Sequence, residues 1–198
     1  MKHFYFLLLL FSVNSFSMES FQSFILTNSG SKIAIKTNFF RIDYIEKTVF
    51  YKLENSEIEK KISFKDFDYV LIGKNKFKTF KLNNSKEING YFVLSESASK
   101  LLILSSTSSD DEESSLVNYI FYIIDLNGNI LESLRFDNLK KPKSVSVRGD
   151  IFSKIQFYFK DCNLLMDRIS SYDNTSFENS NLDILEFFNS PVYIECLK

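Results

Sequence analysis

The sequence has 198 residues, with 24 Lys or Arg against 25 Asp or Glu and a formal net charge of −1. That balance creates no field that would gather nucleic acid or an anionic membrane. Its 44% hydrophobic content argues against a chain that is disordered throughout, and its length suits one domain with a core of its own.

The first residues read MKHFYFLLLLFSVNSFS. Lys2 supplies a positive charge, Phe4 to Phe11 is an unbroken apolar run, and Ser15 and Ser17 are small residues one apart, as signal peptidase requires. The run is shorter than the roughly 20 residues a spanning helix needs. The expectation is a signal peptide over 1–17, cut after Ser17, and a single mostly-β domain over 18–198. No Cys stands at the cleavage point to take a lipid, and no later stretch is apolar and long enough to span. Cleavage would remove His3, the sole histidine of the sequence. Export would place the domain in the periplasm or outside the cell.

Short apolar runs separated by turn residues follow. Phe21 to Thr27 ends at Asn28-Ser29-Gly30-Ser31. Lys32 to Lys36 alternates, with Ile33 and Ile35 on one face. Thr48 to Leu53, Lys61 to Phe64 and Tyr69 to Ile72 come next. Gly73-Lys74-Asn75-Lys76 reads as a hairpin turn, after which Phe77, Phe80 and Leu82 continue. Gly90 to Ser95 and Lys100 to Ser105 form another pair. The pattern is that of an antiparallel meander.

Val117 to Phe136 is the clearest hairpin. Its Asn127-Gly128 suits a type I′ turn, where both central residues need positive φ. Tyr119 to Ile124 is apolar without alternation, which predicts a central strand covered on both faces. Asp150 to Lys160 fits either period, with Ile151, Ile155 and Phe159 at helical spacing and Ile155, Phe157 and Phe159 alternating. Helix is favoured, with Asp150 as its N-cap after Gly149. Leu164, Leu165 and Ile169 mark a second helical face. Ser180 and Asp183 form a weak capping box before Ile184, Leu185 and Phe188, in a helix that Asn189-Ser190-Pro191 ends. Val192 to Cys196 reads as a last strand. The stretches Ser105 to Ser115 and Ser170 to Asn181 read as mobile segments. The expected architecture is α+β: a curved antiparallel β-meander with two or three short C-terminal helices packed on one face.

Two cysteines, Cys162 and Cys196, would meet an oxidising compartment after export. A disulfide between them would tie the last strand to the start of a helical segment and contribute about 3–4 kcal/mol in the chain-entropy model. The alternative is two buried thiols.

Chemistry is constrained by the missing histidine. A mature chain without imidazole cannot build a Ser-His-Asp or Cys-His site, nor a His-containing zinc site. No phosphate loop, dinucleotide fingerprint or EF-hand spacing occurs. Carboxylates remain: Asp66 and Asp68 would share a face on a strand, or be solvated in a loop around a buried Phe67. Asp110, Asp111, Glu112 and Glu113 are oxygen ligands of the kind calcium takes, but consecutive acids between serines suit a solvated hairpin loop better. Phe39, Phe40, Tyr44, Phe50 and Tyr51 could line a ligand pocket or build sheet and core. Leu139-Lys140-Lys141-Pro142-Lys143 reads as a turn that could meet phosphate. Asn83-Asn84-Ser85 and Asn174-Thr175-Ser176 match the glycosylation acceptor pattern. No catalytic, cofactor-binding or metal-binding residue is singled out.

The succession of signal peptide, meander, the hairpin with Asp125 and Gly128, the Tyr158–Cys162 segment YFKDC and short helices resembles small exported proteins of Bacteroidetes-type bacteria that carry no assigned function. The resemblance implies a periplasmic or secreted location and no particular chemistry. The functional expectation is an exported, non-catalytic binding or interaction protein, inhibitor- or immunity-like, whose partner is another exported or envelope protein and not nucleic acid, and which needs no cofactor. The rivals are a carboxylate-dependent enzyme acting on glycans and a carrier of an apolar ligand.

Overall fold

The computed structural model describes residues 23–108, 116–138, 144–173 and 193–196. The sequence-stretch expectations that fall elsewhere lie outside the described residues. They include the signal peptide of 1–17, residues 109–115 with the acids Asp110–Glu113, the segment Leu139–Lys143, residues 174–181 with the acceptor Asn174, and the helix read from Ser180 to Phe188 with its Asn189-Ser190-Pro191 stop; the described ends of the two stretches read as mobile are regular, Ser105–Ser108 in a strand and Ser170–Asp173 in a helix.

The described strands form one open, curled sheet. In chain order they are β1 (Phe24–Thr27), β2 (Lys32–Asp43), β3 (Thr48–Leu53), β4 (Glu59–Ser63), β5 (Phe67–Ile72) and β6 (Asn75–Phe80). After a 3-10 turn at Leu82–Asn84 come β7 (Asn89–Ser97), β8 (Lys100–Ser108), β9 (Val117–Asp125) and β10 (Ile130–Asp137). Helices α1 (Ser144–Phe159) and α2 (Asn163–Asp173) precede β11 (Ile194–Cys196). The sheet order is β10-β9-β8-β7-β6-β5-β1-β2-β3-β4, with β11 joined to β7. Ten strands are antiparallel to their neighbours, as an α+β meander requires; β11 is the parallel exception.

Curling comes from β2. Its register with β3 jumps from Ile35↔Leu53 to Phe40↔Tyr51, so the longer strand carries extra residues and must bend. The bend folds the N-terminal strands over their own inner face. There Ile25, Ile35, Val49, Phe64, Phe67, Val70 and Phe77 make one core cluster. Phe64, Phe67 and Phe77 meet at 5.7–6.4 Å between ring centroids, in edge and tilted arrangements. Two of the aromatic residues that invited a pocket reading are spent here: Tyr51 is buried and Phe40 packs edge-on against Phe77. Phe39 and Phe50 carry the Lys52 and Arg41 cations on their faces.

The C-terminal half of the sheet is covered on both faces. On one, Ile151, Phe152, Ile155 and Phe159 of α1 and Leu165 and Ile169 of α2 pack on Leu102, Phe121, Ile123 and Phe136. On the other, Ile124 joins Tyr91, Val93, Leu101 and Ile103, with Tyr122 and Ile130 against them. This explains the unbroken apolar run of β9, although β9 lies one strand from the edge rather than at the centre of the sheet.

Three local expectations are corrected. Helix α1 begins at Ser144, so Asp150 is an exposed residue of its second turn and not an N-cap. Val147 extends the apolar stripe one turn back from Ile151, and burying it outweighs the break that Gly149 suggests. The turn after β9 is not type I′. Gly128 has φ of 84° but Asn127 is not in the left-handed region. The Asp125 carboxylate builds the loop instead, accepting hydrogen bonds from the backbone N–H groups of Asn127 and Asn129 and from Asn129 Nδ2. Finally, the β5–β6 turn uses only Gly73 and Lys74; Lys76 belongs to a strand and is buried.

Candidate functional site

The meander leaves β7 longer than β6. Its first half pairs with β6, Lys76↔Val93 through Phe80↔Asn89, but the edge at Ser95–Ser97 extends past the end of that partner. Strand β11 fills the edge in parallel, with Ile194↔Ser95, Glu195↔Glu96 and Cys196↔Ser97. Ser95 Oγ, wholly buried, donates to the Ile194 carbonyl at 3.0 Å, and the Tyr193 N–H reaches the Lys74 carbonyl at 2.9 Å. The Cys162–Cys196 disulfide, with Cα atoms 5.1 Å apart, anchors the same strand to the junction between α1 and α2.

A charged cluster sits where the three strands meet. The Lys76 ammonium is hydrogen-bonded and ion-paired to Glu96 Oε2, and also donates to the Tyr193 hydroxyl at 3.1 Å. That hydroxyl in turn donates to Glu96 Oε2 at 3.0 Å. The ammonium lies 4.6 Å from the centroid of the Tyr69 ring and 4.5 Å from that of Tyr193. An ion pair taken out of water costs more desolvation than its attraction returns unless further groups satisfy it. Here a phenol and two ring faces do so. Burial, with the Glu96 charge beside it, raises the Tyr193 phenol well above the ordinary tyrosine range. Burial pushes the Glu96 carboxyl up, but the hydrogen bond and charge of Lys76, the charge of Lys78 and the Tyr193 hydroxyl outweigh it and hold it below the usual carboxylate range.

The folded-state value of Glu96 therefore lies below the ordinary 4.5. Its contribution to stability is fully present above that pH and is lost as pH falls through the folded value. Glu96→Gln strands the Lys76 ammonium. Because the carboxylate keeps part of its water, the expected cost at pH 7 is about 2 kcal/mol rather than the 3–5 of a fully buried pair. Urea denaturation should show the gap between wild type and Glu96→Gln closing as pH is lowered below 4.5; a gap independent of pH would remove the pair from the account.

The clefts of the described surface include the following two. One, of about 250 Å³, lies beside the disulfide and is lined by Ser97, Ala98, Ser99, Lys100, Tyr158 and Asp161 with both cysteines and Phe159. The other, of about 480 Å³, gathers Lys47, Lys65, Lys81 and Lys86 with Glu46, Glu87, Ser63 and Ile88. Neither is lined by Asp66 or Asp68. Asp66 is exposed in the turn before a buried Phe67, and Asp68 pairs with Lys78 at 3.2 Å. Asn83, the acceptor of one glycosylation pattern, has its side-chain oxygen engaged by the Ile130 N–H at 2.8 Å. Among the described residues no three His, Cys, Asp or Glu side chains are grouped to hold a metal ion, and no helix is long and apolar enough to cross a membrane.

Sequence reading missed Lys76 because Gly73-Lys74-Asn75-Lys76 has turn composition throughout. The signal it overlooked is the alternation Lys76, Lys78, Phe80, which marks one face of a strand. Neither a protein-family model, nor a curated protein, nor a solved structure matches this chain.

Proposed function

We propose that this chain is an exported, non-catalytic interaction module that acts by holding or blocking another exported or envelope protein. The observation that supports this best is the closure of its buried polar chemistry. Lys76, Glu96 and Tyr193 satisfy one another and serve to seat a strand. A catalytic group must instead keep a valence for substrate.

Other features agree. A disulfide and the lack of a long apolar helix among the described residues fit a non-cytoplasmic site of action. A carrier would need an apolar void, but the curled half of the sheet is filled by Phe64, Phe67 and Phe77, each at most 2% exposed. A glycan-acting enzyme would need a carboxyl shielded from water, and the carboxylates of the larger cleft, Glu46 and Glu87, are both exposed. Strand β10 stands at one end of the sheet order and β4 at the other, and an extended segment of another protein could add to a sheet edge of this kind.

The test is mild crosslinking of the tagged chain in its native host, followed by purification and mass spectrometry. One stoichiometric protein partner is the expected result. A chain that emerges alone would overturn the interaction reading and direct attention to glycan and ligand screens.

A further inference from the structure

The larger cleft goes beyond the interaction reading and does not depend on it. Four lysines converge there against two carboxylates, in a chain whose formal net charge is −1. Lys65, Lys81 and Lys86 have no ion-pair partner among the described residues, and Glu46 is already within 3.7 Å of Lys61. Like charges gather at a cost, so a cluster with a local excess of cations is a place where an anion is favoured.

The turns that carry these lysines are held by hydrogen bonds. Lys47 has φ of 54°, a conformation that glycine or asparagine adopts with less strain. The strain puts a half-buried ammonium at the cleft, hydrogen-bonded to Asn89 Oδ1. Its turn is capped by Asp43 Oδ1, which accepts from the N–H groups of Ile45 and Glu46, and its carbonyl accepts from the Phe64 N–H at 2.8 Å. The turn bearing Lys65 is tied to the β1–β2 turn, since Asn28 Nδ2 donates to the Lys65 carbonyl at 2.6 Å. Lys81 and Lys86 flank the 3-10 turn. That turn is clamped to the β9–β10 loop, with the Asn83 N–H on the Gly128 carbonyl at 3.0 Å and the Ile130 N–H on Asn83 Oδ1. Gly128 allows the clamp, because a Cβ there would lie 2.8 Å from the Lys81 carbonyl oxygen. The held turns fix where the lysines start, so an anion has to order only the side chains of Lys65, Lys81 and Lys86, while the Lys47 ammonium is already held by Asn89.

We infer that this cleft is a binding site for a compact polyol bearing two or more phosphate or sulfate groups. The lysines take the anionic groups, as compact ammonium charges do. Glu46, Glu87 and Ser63 offer acceptors to free hydroxyls and disfavour a ligand that is anionic all over. A volume of about 480 Å³ suits one sugar or a disaccharide.

The test is calorimetric titration of the purified chain at low salt with fructose 1,6-bisphosphate and with a trisulfated disaccharide, which separate the two sources of anion. Unmodified fructose and inorganic sulfate serve as controls. Binding of at least one esterified sugar is expected, at least about tenfold tighter than either control and weakening about tenfold when sodium chloride rises from about 50 to 300 mM. The double variant Lys65→Gln/Lys86→Gln alters two exposed residues and should lose about tenfold in affinity with its unfolding transition unchanged. Lys60→Gln, on β4 and outside the cleft, should bind like wild type. No binding of either ester, equal binding of inorganic sulfate, or undiminished binding by the double variant would each overturn the inference.

Discussion

Removing the bridge with Cys162→Ala/Cys196→Ala is expected to lower stability by about 3–4 kcal/mol. The bridge closes a loop of 34 residues, and in the chain-entropy model opening it returns that much freedom to the unfolded chain. For a domain of this size the loss corresponds to roughly 10 °C in the melting temperature. The damage should be concentrated. Strand β11 is only three residues long and is held by the bridge, by Ser95 and by the Lys76 cluster. Hydrogen exchange on the double variant should show the Ile194–Cys196 amides losing protection first, while β8 and β9, interior strands whose side chains enter two buried clusters, keep theirs. Unchanged stability, or loss of protection spread evenly over the sheet, would show that the bridge does not hold this strand.

Gly90→Ala is expected to cost about 3 kcal/mol, although it adds a single methyl group. Gly90 lies opposite Thr79 on β7, beneath the ring of Phe77. A Cβ at this position would overlap the Phe77 Cζ and come within 2.9 Å of both Cε atoms. The ring cannot step aside. It is 1% exposed and in contact with Phe40, Phe64, Phe67 and Phe92, at centroid distances of 5.5 to 6.4 Å. The requirement is thus for space and not for an unusual backbone angle. Phe77→Leu, which shortens the side chain, should destabilise on its own but recover about 1–2 kcal/mol of the alanine penalty when the two are combined. Guanidinium denaturation of the four proteins measures that coupling; additive losses would mean that the methyl group is accommodated elsewhere.

The legible part of this fold was local. Alternating apolar runs bounded by Gly, Asn and Ser placed the strands of the meander, and the unalternating run of β9 announced cover on both faces. Ile151, Ile155 and Phe159 were read as a helix, and the two cysteines as a pair. What escaped depends on residues far apart in the chain. No short-range pattern announces that Ile194–Cys196 will pair in parallel with Ser95–Ser97. Lys76 looked like a turn residue because its partners, Glu96 and Tyr193, lie 20 and 117 positions away. The lysine cleft is assembled from three separate connections, each of which reads alone as a solvated turn. Gly90, in turn, is explained by a ring on the neighbouring strand rather than by anything beside it in sequence.

The late arrival of β11 also bears on how the chain reaches its native state. Ser95 and Cys196 are 101 positions apart, so the edge of β7 stays bare while β8, β9, β10 and both helices are being synthesised. A nascent sheet would present unpaired N–H and C=O groups there, together with a Lys76–Glu96 pair lacking its phenol, and such an edge is a template for aggregation. The closing contact is among the most non-local in the molecule and carries a correspondingly large loop-closure entropy. Sheet completion therefore waits until the segment bearing β11 has been made, and the Cys162–Cys196 bridge, once formed, ties that strand in place.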